Sequence, residues 1–230
     1  EQLAFVAGRQ MVEGNRLIEY IIEHALAGRC RGMIVAIDFR KAFDSISHEY
    51  LFDLLEEFGM PAEYIHAVRT LMTDGKSCVN NNGAITDNFP LGRSCRQGDP
   101  LAPYLFILAI EPLLRRLKEE LAGIQGPSQP VVLSAYADDL TIFVSSEREL
   151  RTALKILAEF ERISGLAINR DKSEVMPVGQ NIQGEAICGL KLVKEMKITG
   201  IVHAYNNHAD AIRGNYNCFL TKAKTALNMC

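Results

Sequence analysis

Apolar residues recur on one helical face between Arg9 and Ala27, where Met11, Ile18, Ile21, Ile22, Ala25 and Leu26 form a stripe and Gly28 follows as a stop. The pattern then changes. MIVAID, Met33 to Asp38, is a run of β-formers too brief for a helix, and it predicts a buried strand ending on an acid. Ser47 is placed to cap a helix with Leu51, Leu54, Leu55 and Phe58 inward, closed by Gly59 and Pro61. A second helix should bury Ile65, Val68, Leu71 and Met72. In KSCVNNNGAITDNF the Asn82-Gly83 pair between two modest strands predicts a hairpin.

Asp99 and Pro100 read as cap and first residue of a helix carrying Leu101, Leu105 and Leu108. Pro112 should kink it or start a new helix, which Leu113, Leu114 and Leu117 carry on to Gly123. GIQGPSQP reads as a loop, and VVLSAY and LTIFV as the two strands of a hairpin. Ser146 and Glu149 make the S-x-x-E capping box of a helix burying Leu150, Ala153, Leu157 and Phe160 and ending at Gly165. Weaker strands are expected at 167–169, 174–178 and 197–202, and a helix from Ala209. Helices and hairpins mixed without a βαβ alternation predict an α+β fold with a mostly antiparallel sheet.

At 230 residues and 48% hydrophobic content, the chain can bury the core of one large or two small domains. Its six cysteines are scattered without a C-x-x-C pair, so no zinc or redox motif is signalled and a reducing compartment is expected. No apolar run approaches the roughly 20 residues of a membrane span, and no membrane partner is expected. The net charge of −3 offers no general attraction for nucleic acid. The chain opens on EQLAFVAGRQ and stops at KAKTALNMC without an initiating Met, which gives the expectation of a piece of a longer protein.

The chemistry enters at SAYADDLTIFV, where two aspartates interrupt an apolar, strand-like run. If this hairpin neighbours the strand ending on Asp38, the carboxylates converge, and convergent carboxylates repel unless a hard divalent cation bridges them. The competing reading is a turn with solvated charges. Adjacent side chains in extended chain point to opposite faces, so Asp138 and Asp139 are not equivalent; Asp138 is expected to be the essential one.

AIDFRKAFDSI, GRSCRQGDPLAPYLF, AYADDLTIFV and GLAINRDKSEV occur in an order and at spacings that resemble the palm domain of reverse transcriptases, and the non-LTR (LINE-type) retrotransposon family in particular. QLAFVAGRQ is similar to that family's pre-palm motif and KITGIVHA to its primer grip. The resemblance implies a polymerase palm with partial fingers over residues 1–205, fingers elements lying around 1–30 and 60–98. Residues 206–230 would be the start of a thumb or connector. It implies an RNA-directed DNA polymerase serving retrotransposition, with two Mg²⁺ ions as cofactor and Mn²⁺ as a substitute. RNA template, DNA primer and dNTP are the implied partners, together with further domains of the same polyprotein: an endonuclease and the remaining fingers and thumb. An intracellular location follows, nuclear with a cytoplasmic ribonucleoprotein stage.

By position, the resemblance makes Asp38 and Asp138 the metal-binding pair and Asp139 a third, orienting acid. The Phe39 carbonyl would also reach a metal, and the backbone N–H groups near Lys41 and Ala42 would face the triphosphate. The Phe43 ring would exclude a ribose 2′-hydroxyl. Gln97 and Gly98 would touch the nucleotide and template base, Tyr136 would lie near the primer end, and Lys172 would protonate the leaving pyrophosphate. Two departures are visible: Asp99 stands where the family has Cys after R-Q-G, and Thr199 where Leu is common in the primer grip. An RNA-dependent RNA polymerase palm and an inactive nucleic-acid-binding relic stay open as alternatives.

Overall fold

A computed structural model describes residues 2–73, 75–90, 92–95, 98–126 and 128–227. The N-terminal stripe forms α1 (Met11–Leu26) and the apolar run β1 (Gly32–Ile37). One helical turn, α2 (Ala42–Ser45), leads into α3 (His48–Glu57) and α4 (Ala62–Thr73). Four two-residue strands make a pair of small ladders, β2 (Lys76–Ser77) with β5 (Phe89–Pro90) and, between them in the chain, β3 (Asn80–Asn81) with β4 (Ala84–Ile85). Then come α5 (Ala102–Glu120), the pair β6 (Ile124–Gln125) and β7 (Pro130–Val131), the hairpin β8 (Leu133–Tyr136) and β9 (Asp139–Val144), and α6 (Glu147–Ser164). The remainder is β10 (Glu174–Val178), β11 (Ala186–Ile187), β12 (Leu190–Leu192), the hairpin β13 (Glu195–Ile198) and β14 (Ile201–Ala204), and α7 (His208–Leu227).

The main sheet has six strands in the order β11-β12-β10-β1-β9-β8, and only the β10–β12 contact is parallel. This is the α+β, mostly antiparallel architecture the sequence predicts. β1 is central and buried on both faces, which is why it reads as a continuous apolar run rather than an alternating one. Val35, Ile37, Leu140 and Ile142 face the larger core, with Leu51 and Leu55 of α3, Phe106 and Leu113 of α5 and Leu157 of α6. Ile34, Phe143 and Met176 face a second core closed by Ile18, Ile21 and Ile22 of α1 and by Met196 and Ile198. Each such side chain contributes roughly 1.5–3 kcal/mol by leaving water, so β1 and β9 form the rigid centre from which the site is hung.

Several local expectations need correction. α5 continues through Pro112 to Glu120 as one helix instead of a new helix starting there. Burying Leu113, Leu114 and Leu117, at roughly 2 kcal/mol each, outweighs the ~3 kcal/mol cost of an interior proline. Asp99 sits two residues early: its Oδ1 accepts the Leu101 N–H at 2.9 Å, and Leu101 holds the cap position. Ser146 caps α6 as expected, but Glu149 reaches the N–H groups of Ser145 and Gly123 rather than closing a reciprocal box. GIQGPSQP contains the short β6–β7 ladder, and 197–202 is not one strand but a hairpin turning at Thr199 and Gly200. Leu71 is exposed, because it lies off the Ile65, Val68, Met72 stripe of α4; Met11 and Leu26, at the two ends of α1, are exposed as well.

At the far end of the smaller core, His203 is fully buried, its ring nitrogens bonded to Glu19 Oε1 and, at 3.0 Å, to Asn15 Oδ1. Asn215 of α7 holds both the N–H and the carbonyl of Val202, at 3.0 and 2.7 Å. These polar ties fix the β13–β14 hairpin between α1 and α7.

Candidate active site

The strand that ends on Asp38 and the strand that begins on Asp139 are neighbours. In the β1–β9 ladder Ile37 pairs with Leu140, so the next residue outward on one strand is Asp38 and on the other Asp139. Cross-strand partners share a face of the sheet. Tyr136 pairs with Asp139 across β8–β9, which leaves Ala137 and Asp138 as a two-residue turn. Three carboxylates are thereby gathered at one end of the two central strands, from positions a hundred residues apart in the chain.

Asp38 is held by its backbone. Its N–H donates to Ser173 Oγ at 3.1 Å, its carbonyl accepts the Asn169 N–H at 2.7 Å, and the Ser173 hydroxyl donates to the Asn169 carbonyl at 2.8 Å. Ser173 is fully buried. Phe39 pairs with Ile168 through the flanking bonds, Arg40 N–H to the Ala167 carbonyl and Asn169 N–H to the Asp38 carbonyl. That pattern leaves the Phe39 carbonyl on the opposite edge, the one next to β9.

The electrostatics are those of unrelieved like charge. The Asp139 carboxyl lies above the usual carboxylate range, first through partial burial and then through the negative charges of Asp138 and Asp38. None of the three forms an ion pair with a Lys or Arg among the described residues. Lys172 and Lys197 line the same cleft of about 100 Å³ as Asp38, Asp139, Thr141 and Glu174, without closing on the acids. Asp138 and Asp139 are both exposed at this turn, and of the two it is Asp139 that lines the cleft with Asp38.

The other predicted residues fall around this point in different ways. Lys41 adopts the left-handed conformation, φ 47° and ψ 51°, and turns the chain from β1 into α2; Ala42 behind it is buried. The Phe43 ring is half-buried and stacks on Phe106 of α5, centroids 4.4 Å apart. The Cys95 N–H donates to the Phe43 carbonyl at 2.6 Å, tying the two predicted nucleotide-contacting segments together. The Cys95 thiol, buried first and then facing Asp99, is pushed up to about 12. Gly98 is exposed with φ +86°, a backbone conformation that suits glycine. Gln97 lies outside the described residues. Tyr136 is half-buried at the end of β8 and Lys172 is exposed.

Sequence reasoning missed the residues that hold the acids in place. Ser173 and Gln2 carry no signal of their own, since each acts through a long-range bond to another segment's backbone. Lys197 was legible only as one residue of an expected strand.

No three His, Cys, Asp or Glu side chains among the described residues form a closed metal cage. The donor set still fits a hard divalent cation: carboxylates at one point, a neighbouring carbonyl edge and, among the described residues, no Lys or Arg paired with the acids. Mg²⁺ is typically held by one or two carboxylates and completed by water and phosphate oxygens rather than by protein alone.

Comparisons with known proteins bear on the family and the fold. Residues 1–202 match the family model described as "Reverse transcriptase (RNA-dependent DNA polymerase)". The chain is 30% identical over 171 residues to the Retrovirus-related Pol polyprotein from type-2 retrotransposable element R2DM of Drosophila melanogaster, covering 74% of this chain and 16% of that protein. It is 31% identical over 175 residues to the Transposon TX1 uncharacterized 149 kDa protein of Xenopus laevis, covering 75% of this chain and 13% of that one. The chain thus spans a small part of the curated relatives it matches. Telomerase from Candida albicans, solved in complex with a TWJ fragment of telomeric RNA, superposes with a TM-score of 0.63 at 13% identity, over 86% of this chain and 33% of that one. Apo telomerase from Candida tropicalis gives 0.59 at 14% identity, over 84% and 39%. At such identities the likeness shows the fold alone.

Proposed function

Because the chain belongs to the reverse transcriptase (RNA-dependent DNA polymerase) family, and its curated relatives are Pol proteins of non-LTR retrotransposons, we propose that it forms the catalytic centre of a retrotransposon polymerase that extends a DNA primer with dNTPs on an RNA template. The observation that carries this reading is the meeting of Asp38 with the Asp138–Asp139 turn, three carboxylates that form no ion pair with a Lys or Arg among the described residues.

Asp38, Asp138, Asp139 and the Phe39 carbonyl are the groups that would hold Mg²⁺, or Mn²⁺ in its place. The bound ions would supply Lewis-acid stabilisation of the oxygens in an in-line phosphoryl transfer. The protein's own contribution is positioning and electrostatics. The left-handed turn at Lys41 brings the backbone of Lys41 and Ala42 round beside the acids, where their N–H groups would meet the triphosphate. The Phe43 ring, backed by Phe106 and unable to retreat into the core, would stand where a ribose 2′-hydroxyl projects. Gly98, with Gln97, would admit the base pair closely, and Tyr136 would support the primer end. Lys172 would deliver a proton to pyrophosphate, with Lys197 across the cleft adding positive charge. Further domains of the same polyprotein would supply the rest of the nucleic-acid grip.

Primer extension on an RNA template by the full-length protein, with dNTPs compared against rNTPs, tests the reading. Mg²⁺-dependent extension with dNTPs supports it; preferential use of rNTPs would assign the palm to an RNA polymerase instead.

A further inference from the structure

Gln2 is only 4% exposed. Its side-chain Oε1 accepts two backbone N–H groups, from Ala4 at 2.9 Å and from Ala137 at 3.0 Å. Two donors converging on one atom fix the amide's orientation, since a flipped NH₂ would face them donor to donor. The segment is docked by more than this bond. The Leu3 N–H donates to the Ala135 carbonyl at 2.7 Å, Gln2 bridges Ala135 in parallel, and the Arg9 guanidinium donates to the Gln2 carbonyl at 2.6 Å.

Ala137 is the first residue of the turn that presents Asp138 and Asp139. It is buried, and its φ of 53° places a non-glycine residue in the left-handed region, which costs of the order of 1–2 kcal/mol. β8 is also the last strand of the sheet, so its outer side has no neighbouring strand of the main sheet. This strained turn stands at a sheet edge and carries two negative charges toward a third, so a restraint on its backbone beyond the Tyr136–Asp139 pair favours the closed form. Gln2 Oε1 is the acceptor that restrains it.

We propose that Gln2 is a positioning residue for nucleotide addition: by holding the Ala137 amide it keeps the Asp138–Asp139 turn at the spacing from Asp38 that lets the acids share a cation. Gln2 touches neither substrate nor metal itself. The inference rests on the polymerase reading and adds to it a residue outside the acid-bearing segments.

Gln2→Met keeps the length and apolar shape of the side chain and deletes the acceptor. Two measurements on the full-length protein are needed. In single-turnover dNTP addition on a primed RNA template, the variant should add nucleotide about tenfold more slowly, the factor that a ~1.4 kcal/mol loss represents. Its Mg²⁺ half-saturation should rise severalfold while its dNTP half-saturation stays near wild type. In hydrogen exchange, the Ala137 amide should lose protection by a similar factor while the amides of Ile34 and Val35 do not. Gln2→Glu, which keeps the acceptor, should retain the Ala137 protection. Unchanged addition rate and Mg²⁺ half-saturation in Gln2→Met would overturn the proposal and leave the polymerase reading standing. Protection lost uniformly across the sheet would reduce Gln2 to a structural residue and overturn it as well. If the wild type adds no nucleotide, the polymerase reading fails and the positioning role in addition falls with it; the exchange data then still tell whether Gln2 holds the turn.

Discussion

Ile37 faces Leu140 across the β1–β9 ladder, and the residues just beyond that pair, Asp38 and Asp139, carry like charge on one face of the sheet. The pair is buried on the side of the larger core, so the register is pinned. A one-residue slip would send Ile37 and Leu140 to the wrong face and part the acids. Leu140→Asp should therefore abolish both folding and activity. Leu140→Ile should preserve the register and cost less than about 1.5 kcal/mol, as measured by urea denaturation.

The raised Asp139 carboxyl makes a prediction about stability and pH. A carboxyl whose native pKa exceeds its unfolded value binds its proton more tightly when folded, so it costs stability once ionised in both states. That cost is absent below the ordinary carboxylate range and grows as pH rises through the interval up to the native value. Asp139→Asn should accordingly raise Tm at pH 7 in metal-free buffer and leave it nearly unchanged at pH 3. Added Mg²⁺ should narrow the gap by stabilising the wild type more than the variant.

Substitution of the acids should separate activity from folding. Asp38→Asn and Asp138→Asn, in the full-length protein, should each lower the rate of dNTP addition by at least about a hundredfold, the scale of a lost electrostatic stabiliser, with circular dichroism unchanged. Asp139→Asn ranks their roles. A loss as large as that of Asp38→Asn would match their shared cleft, and a smaller one would match an orienting role.

Phe43 stacks on Phe106, so the proposed sugar gate has a rigid backing. Phe43→Ala should raise ribonucleotide incorporation at least about tenfold relative to dNTPs, a loss of discrimination near 1.4 kcal/mol. Competitive incorporation on a single RNA template reads this directly, and unchanged sugar selectivity would remove the gate.

The polar ties around His203 should matter for stability rather than for chemistry. His203→Ala leaves Glu19 and Asn15 without their buried partner and should cost roughly 1–3 kcal/mol. Asn215→Ala frees the Val202 backbone and should expose the loop ahead of α7 to limited proteolysis.

Much of this was legible in the sequence because burial leaves periods. MIVAI and LTIFV read as strands since both faces are covered, and Ser146 with Gly165 bounds α6 by local chemistry alone. Two-residue ladders such as β6–β7 leave no period to read. The Thr199–Gly200 turn was lost because Lys197 to Val202 keeps a strand-like pattern on either side of it. Asp38 and the Asp138–Asp139 pair were visible as acids at strand ends. Their support was not: Ser173 and Gln2 act on backbone groups 135 residues away, and nothing local marks such a bond.

The sharing of cations by Asp38 and the Asp138–Asp139 turn is tested most directly by counting bound Mn²⁺ by electron paramagnetic resonance. The sample is the full-length protein with an RNA template, a chain-terminated primer and the matching dNTP. Wild type should bind about two ions per complex, while Asp38→Asn and Asp138→Asn should each hold fewer at the same free Mn²⁺. Equal occupancy in the wild type and both variants would contradict the account.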